Sequence, residues 1–219
     1  MANRDMKYIN YDINKYNFAG IIKGWFGVED LSNIHLGNTY ALFSREKDQS
    51  THWHQKYYEK IREDESFFIL YRSFLENIIK PGYRENIICQ RIPTFRIHLP
   101  NNIAVGEWHK DKDYRDSDWA EQVKETNYYL PLTATNTQNT VWAESEEDKR
   151  DYKPILANYG ECVEWDASNL THGNKKNISN QTRISVDFRV ISESRYVDSD
   201  RRTINTDMEF KVGGYYVQI

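Results

Sequence analysis

In Thr182-Arg183-Ile184-Ser185-Val186-Asp187-Phe188-Arg189-Val190, polar and apolar residues alternate without a break from Arg183 onward. Successive side chains of a strand point to opposite faces, so this stretch predicts a half-buried β-strand in which Arg183 and Ser185 share a face. Six other short runs, at 87–92, 94–99, 105–109, 127–132, 140–143 and 162–165, are apolar or alternating. Asn, Asp, Gly and Pro punctuate the chain between them. Many short strands with such punctuation predict a sandwich or jelly roll.

Upstream the period changes. Between residues 55 and 79, Tyr57, Tyr58, Ile61, Phe68, Tyr71, Phe74, Leu75, Ile78 and Ile79 recur at helical spacing, and Lys80-Pro81-Gly82 ends the pattern. This predicts one helix whose apolar face packs on the outside of a sheet, its aromatics serving as core. A chain of 219 residues is long enough for one well-buried core. The expected organisation is a single domain over 1–219: a helical part at 1–85, a β core at 86–191 and a C-terminal extension at 192–219.

Composition narrows the class of function. The net charge of -4 and the lack of a basic arm argue against binding to a nucleic-acid backbone. The N-terminus has no apolar leader, and no apolar run approaches the roughly 18 residues of a membrane span. Two cysteines, Cys89 and Cys162, make no disulfide framework. A reducing compartment is expected, hence a cytoplasmic protein; oligomeric state is not legible.

The chemistry concentrates in Trp108-His109-Lys110-Asp111 and Leu170-Thr171-His172-Gly173-Asn174. In an extended segment His109 and Asp111 project to one side, with Lys110 opposite, and can grip one ion. A His-x-acid pair alone is expected about once by chance in a chain of this composition, usually as a solvated turn. With His172 it makes two imidazoles and one carboxylate, a set that leaves other metal positions open. Arg183 follows His172 by eleven residues. Its guanidinium and the Ser185 hydroxyl suit a bidentate carboxylate, and pairing of Arg183 with Asp187 on the same face is the equal structural alternative.

In that order, His-x-Asp, distal His and Arg-x-Ser, the chain resembles the Fe(II)/2-oxoglutarate-dependent dioxygenase superfamily. Arg91-Ile92-Pro93-Thr94-Phe95-Arg96-Ile97-His98-Leu99-Pro100, Ala104-Val105-Gly106-Glu107-Trp108-His109-Lys110-Asp111, Asn127-Tyr128-Tyr129-Leu130-Pro131-Leu132-Thr133, Asn139-Thr140-Val141-Trp142-Ala143-Glu144-Ser145 and His172-Gly173-Asn174 are more narrowly similar to its StrG-like group, named for streptomycin biosynthesis. The resemblance spans roughly residues 88–191. It implies a mainly β fold with N-terminal helices, a double-stranded β-helix of the jelly-roll, cupin-like kind. It further implies His109, Asp111 and His172 as catalytic Fe(II) ligands, with 2-oxoglutarate and dioxygen as co-substrates. Arg183 and Ser185 would anchor the far carboxylate of 2-oxoglutarate, with Asn127 in the same site. Because Asp111 supplies a carboxylate, the implied outcome is hydroxylation or a related oxidation in place of halogenation.

Tyr129, Trp142 and Glu144 are candidate substrate-binding residues, since polar and aromatic groups suit a hydroxylated or amino-bearing molecule such as a sugar, an aminocyclitol or a natural-product intermediate; barrel lining is their structural alternative. The charged stretches 110–125 and 144–153 are expected as solvated loops, with a lid over the site as the functional alternative. His52-Trp53-His54 reads as a surface or capping segment, and His35 and His98 carry no supported role. Two other functions fit the pattern: a jelly-roll carbohydrate-binding module without oxidase activity, and a 2-oxoglutarate oxygenase acting on a peptide or amino acid. A module of the first kind has no need of a buried arginine beside the metal.

Overall fold

The computed structural model describes residues 6–42, 49–104, 107–203 and 207–219. Its first half holds β1 (Lys7–Asn10), α1 (Phe18–Phe26), α2 (His52–Glu63), α3 (Glu65–Phe74), β2 (Ile87–Gln90), β3 (Thr94–His98) and α4 (Ser117–Val123). Then follow β4 (Thr126–Pro131), β5 (Val141–Ala143), β6 (Lys153–Pro154), β7 (Glu161–Trp165), β8 (His172–Asn174), β9 (Arg183–Ser192), β10 (Ser199–Arg202), β11 (Glu209–Phe210) and β12 (Tyr216–Gln218). The larger sheet runs β1-β7-β4-β9-β2-β12, with β3 also on β9, and the smaller runs β6-β5-β8. All these strand pairs are antiparallel. The fold is a jelly roll with N-terminal helices.

Both ends of the chain enter the larger sheet. β1 pairs with β7, and β12 pairs with β2, so the edge strands come from outside the 88–191 span of the motifs. The stretch 105–109 departs from expectation: residues 105 and 106 lie outside the described ones, 107 and 108 are not in a strand, and His109 makes only an isolated bridge.

β9 is central, flanked by β4 on one side and by β2 and β3 on the other. Its apolar residues Ile184, Val186, Phe188 and Val190 are 0–2% exposed and belong to the core shared with the helices. The polar face is buried as well: Arg183 is 1% and Ser185 0% exposed. The strand is therefore covered on both sides, and its polar face looks into the interior of the roll.

The long helix predicted over 55–79 is two helices followed by a π turn (Leu75–Ile79). Asp64 makes the break. Its extended backbone ends α2, and its carboxylate caps α3 by accepting from Ser66 N at 2.9 Å. The other carboxylate oxygen accepts from Trp25 Nε1 at 2.6 Å, tying the break to α1. Asp is a preferred N-cap because it satisfies orphan N–H groups of the first turn, and here that preference outweighs an unbroken apolar period. Thr51 caps α2 in the same way, with its Oγ1 2.8 Å from His54 Nδ1; His52-Trp53-His54 is the first turn of that helix and not a surface segment, since Trp53 and His54 are buried.

The helices lay an aromatic layer on the sheet. Tyr57 stacks on Phe95 with centroids 4.7 Å apart, and Tyr71 meets Phe188 edge-on at 5.5 Å. The Tyr57 and Tyr71 hydroxyls donate to Pro93 O and Gln90 O, so these buried rings leave no polar tip unsatisfied. Each such ring contributes about 1.5–3 kcal/mol by burial. Deletion of residues 1–80 is expected to give insoluble protein, because it bares Phe95 and Phe188 and removes β1. Expression and sedimentation of the fragment test this, and a soluble, cooperatively melting fragment would contradict it. Among the described residues, no helix is long and apolar enough to cross a membrane.

Candidate metal centre

His109 and His172 are brought together by backbone. The amide of each bonds to the carbonyl of the other, at 3.0 and 2.9 Å, which pins two segments distant in sequence into one short bridge. Trp108 and Gly173, the neighbours of the two histidines, pack on each other: a Cβ at Gly173 would lie 2.7 Å from Trp108 Cδ2. Only glycine permits that approach. Asp111 does not continue an extended segment past His109; it begins a 3₁₀ turn (Asp111–Tyr114), and its amide bonds to Ala167 O. The turn carries its carboxylate to the imidazoles by a route that strand spacing does not describe.

The three donor atoms lie within 4.8 Å of one another. Asp111 Oδ1 is 3.5 Å from His109 Nε2 and 3.6 Å from His172 Nε2. Each imidazole places its Nδ1 2.9 Å from a backbone carbonyl, Glu107 O and Leu170 O. A carbonyl only accepts, so the proton sits on Nδ1 and the Nε2 lone pair is left for a cation. Burial pulls the His172 imidazole down to about 4, leaving it neutral at physiological pH. Burial works against ionisation of Asp111, but the Arg189 guanidinium together with His109 and His172 outweighs it and holds the carboxyl well below the usual range. Burial lowers His109, but Asp111 and the Glu107 carbonyl together more than offset it, so its value is raised. Two imidazoles and one ionised carboxylate, whose Nε2 and Oδ1 atoms face one another, fit a divalent first-row metal ion that would displace any proton shared between them.

Around this cluster lies a cavity of about 550 Å³, counted to its open mouth. The larger sheet's register furnishes its floor. Arg96 and Asn127 stand opposite Ser185 and Arg189, and Tyr129 opposite Asp187, so all share the polar face of β9. Arg183 donates to Ser185 Oγ at 2.7 Å and to Asn139 O at 3.2 Å. Its structural alternative fails, since Asp187 is taken by Arg96 (2.9 Å) and Arg189 (3.4 Å). Among the described residues Arg183 has no carboxylate partner. An interior cation without a counterion costs several kcal/mol in desolvation, so this arrangement calls for an anion. Tyr129 lines the same cavity, and its buried hydroxyl has no hydrogen-bond partner among the described residues.

The remaining candidates are placed differently. Asn127 lines the cavity, yet its Nδ2 donates to Asp111 Oδ2 at 2.8 Å. Trp142 and Glu144 lie outside the lining. Lys175 Nζ sits over the Trp142 ring at 3.2 Å. Both Glu144 carboxylate oxygens accept from backbone, at Thr171 N and Arg150 N, so the side chain braces the turn before His172. The two charged stretches are fastened to each other: Lys110 Nζ reaches Glu147 and Asp148, and Lys112 Nζ reaches Glu147. Exposed pairs of this kind contribute about 0–1 kcal/mol each. Reading the sequence missed Arg96, Asp187 and Arg189 as site residues, although the alternation that placed Arg183 and Ser185 places Asp187 and Arg189 on the same face.

No family model matches the chain. It is similar to the streptomycin biosynthesis protein StrG of Streptomyces griseus, 33% identical over 208 residues that cover 95% of this chain and 96% of that protein. Among solved structures it is similar to SnoK, a non-heme alpha-ketoglutarate-dependent carbocyclase from nogalamycin biosynthesis, with a TM-score of 0.56, 9% identity and coverage of 99% and 92% of the two chains. It is also similar to the non-heme monooxygenase ThoJ in its nickel complex, with a TM-score of 0.50, 13% identity and coverage of 90% and 78%. At these identities the two structures support the fold.

Proposed function

Because this chain belongs to the family of the streptomycin biosynthesis protein StrG, we propose that it is a non-haem Fe(II)/2-oxoglutarate-dependent oxygenase. It oxidises a C–H bond of a small polar metabolite, such as a sugar, an aminocyclitol or a natural-product intermediate. One observation carries the reading: Arg183, 1% exposed and without a carboxylate partner among the described residues, lines the same cavity as a His-Asp-His cluster. A metal site alone does not require that cation. A carboxylate co-substrate does.

The residues divide the work. His109, Asp111 and His172 would hold the ion, with Nε2, Oδ1 and Nε2 as the donor atoms they offer. Arg183 with Ser185 would hold the far carboxylate of 2-oxoglutarate through charge-assisted bonds, and the Tyr129 hydroxyl would supply a further donor from β4. When bound, iron, 2-oxoglutarate and dioxygen supply the oxidising power for C–H cleavage, with 2-oxoglutarate leaving as succinate and carbon dioxide. Val141, Trp165 and Ala167 line the cavity with apolar surface that limits water and side reactions. A mixed polar and apolar cavity suits a small molecule better than an extended chain.

The test is mass spectrometry of reactions containing protein loaded anaerobically with Fe(II), 2-oxoglutarate, air and a panel of sugars, aminoglycoside precursors and amino acids. The expected result is succinate together with an oxidised product from a sugar or aminocyclitol. Product from an amino acid alone moves the substrate class, and no 2-oxoglutarate consumption under any condition refutes the oxygenase reading.

A further inference from the structure

Asp111 Oδ2 accepts two hydrogen bonds that the metal-site reading does not use. Arg189 Nη2 lies 2.6 Å from it and Asn127 Nδ2 2.8 Å. All three side chains are buried, with Asp111 at 7%, Arg189 at 8% and Asn127 at 3% exposure. Turning the carboxylate about its Cβ–Cγ bond would break both contacts, one of them charge-assisted. The other oxygen, Oδ1, therefore stays turned toward the two imidazoles at 3.5 and 3.6 Å.

Arg189 is itself held on its other side. Nη1 lies 3.2 Å from Gln90 Oε1, 3.4 Å from Asp187 Oδ2 and 3.4 Å from Tyr215 Oη. Asp187 is fixed in turn by Arg96 Nε at 2.9 Å. Tyr215 comes from the last segment of the chain, immediately before β12, where its carbonyl accepts from Arg91 N at 2.8 Å. The C-terminal extension, which carries none of the motifs, thus reaches the residue that orients a candidate metal ligand.

We propose that Arg189, assisted by Asn127 and steadied by Tyr215, is a positioning residue that commits Asp111 to bind metal through Oδ1 alone. The proposal rests on the metal-site reading above. Its consequence is coordination economy: a carboxylate free to swing would close on the ion with both oxygens and occupy a position that the co-substrates require. Outer-shell partners of this kind are worth about 10–100-fold in metal affinity.

The probe is cobalt(II) chloride added to the full-length apoprotein, with affinity measured by titration calorimetry, coordination by visible absorption and folding by the melting temperature of the metal-free protein. Arg189→Gln is expected to weaken Co(II) binding about 10–100-fold and to change the absorption spectrum, Arg189→Lys to recover part of the affinity, and Tyr215→Phe to cost a few-fold. A folded Arg189→Gln with the wild-type dissociation constant and spectrum overturns the proposal and leaves the metal site standing. Wild-type protein that shows no saturable Co(II) binding overturns the site reading itself. Should Arg189→Gln not fold, Asn127→Ser and Tyr215→Phe decide: weakened binding in both supports the clamp, and wild-type affinity in both overturns it.

Discussion

His172→Ala is expected to abolish iron-dependent succinate formation while the protein stays folded. Loss of an outer-shell partner costs about 10–100-fold, so loss of one of three metal donors is expected to cost more than about 100-fold. The backbone half of the His109–His172 bridge uses no side-chain atom and survives the substitution. The removed imidazole does contact the Trp165 ring edge-on at 4.9 Å, so a small drop in melting temperature is expected as well. Succinate quantified by NMR, beside a melting curve, separates the two effects. Near-normal turnover in His172→Ala would remove the site assignment, and His109→Ala and Asp111→Ala are expected to agree with it.

Arg183→Ala is expected to raise the Michaelis constant for 2-oxoglutarate roughly ten- to more than a hundredfold, the equivalent of about 1.5–3 kcal/mol for a charge-assisted bidentate contact. Metal binding should survive, because Arg183 touches none of the three donor residues; its bonds go to Ser185 and Asn139. Stability distinguishes this role from a structural one. A buried cation without a carboxylate partner among the described residues is costly in the ligand-free protein, so Arg183→Ala should cost little there, while 2-oxoglutarate added anaerobically with metal should stabilise the wild type far more than the variant. A variant that melts well below the wild type and keeps the wild-type 2-oxoglutarate dependence would make Arg183 a structural arginine and withdraw the co-substrate while sparing the metal triad.

Alternation at 183–190 was sufficient to identify a strand and to put Arg183 and Ser185 on one face, because side-chain direction in a strand depends on position parity alone. The same parity places Asp187 and Arg189 there, but it cannot say which cation meets which carboxylate. That is settled by cross-strand register: Arg96 on β3 and Asn127 on β4 stand beside β9, take Asp187 and Asp111 respectively, and leave Arg183 without a carboxylate among the described residues. The break at Asp64 was legible in principle, since Asp before Glu65-Ser66 is a capping signal. The aromatic period running through it masked that signal.

By itself the sequence determined the His-Asp-His set, the strand that carries Arg183 and the need for a helical layer over apolar β residues, all of which follow from residue type and period. Tertiary structure alone decided the rest. It bridged His109 to His172, swung Asp111 in on a 3₁₀ turn, diverted Glu144 to bracing a turn and brought Tyr215 from the C-terminus to Arg189. Those pairings join residues far apart in the chain. Periodicity constrains only the few neighbours along one element, whereas register and loop geometry, set by packing of the whole roll, choose partners across it.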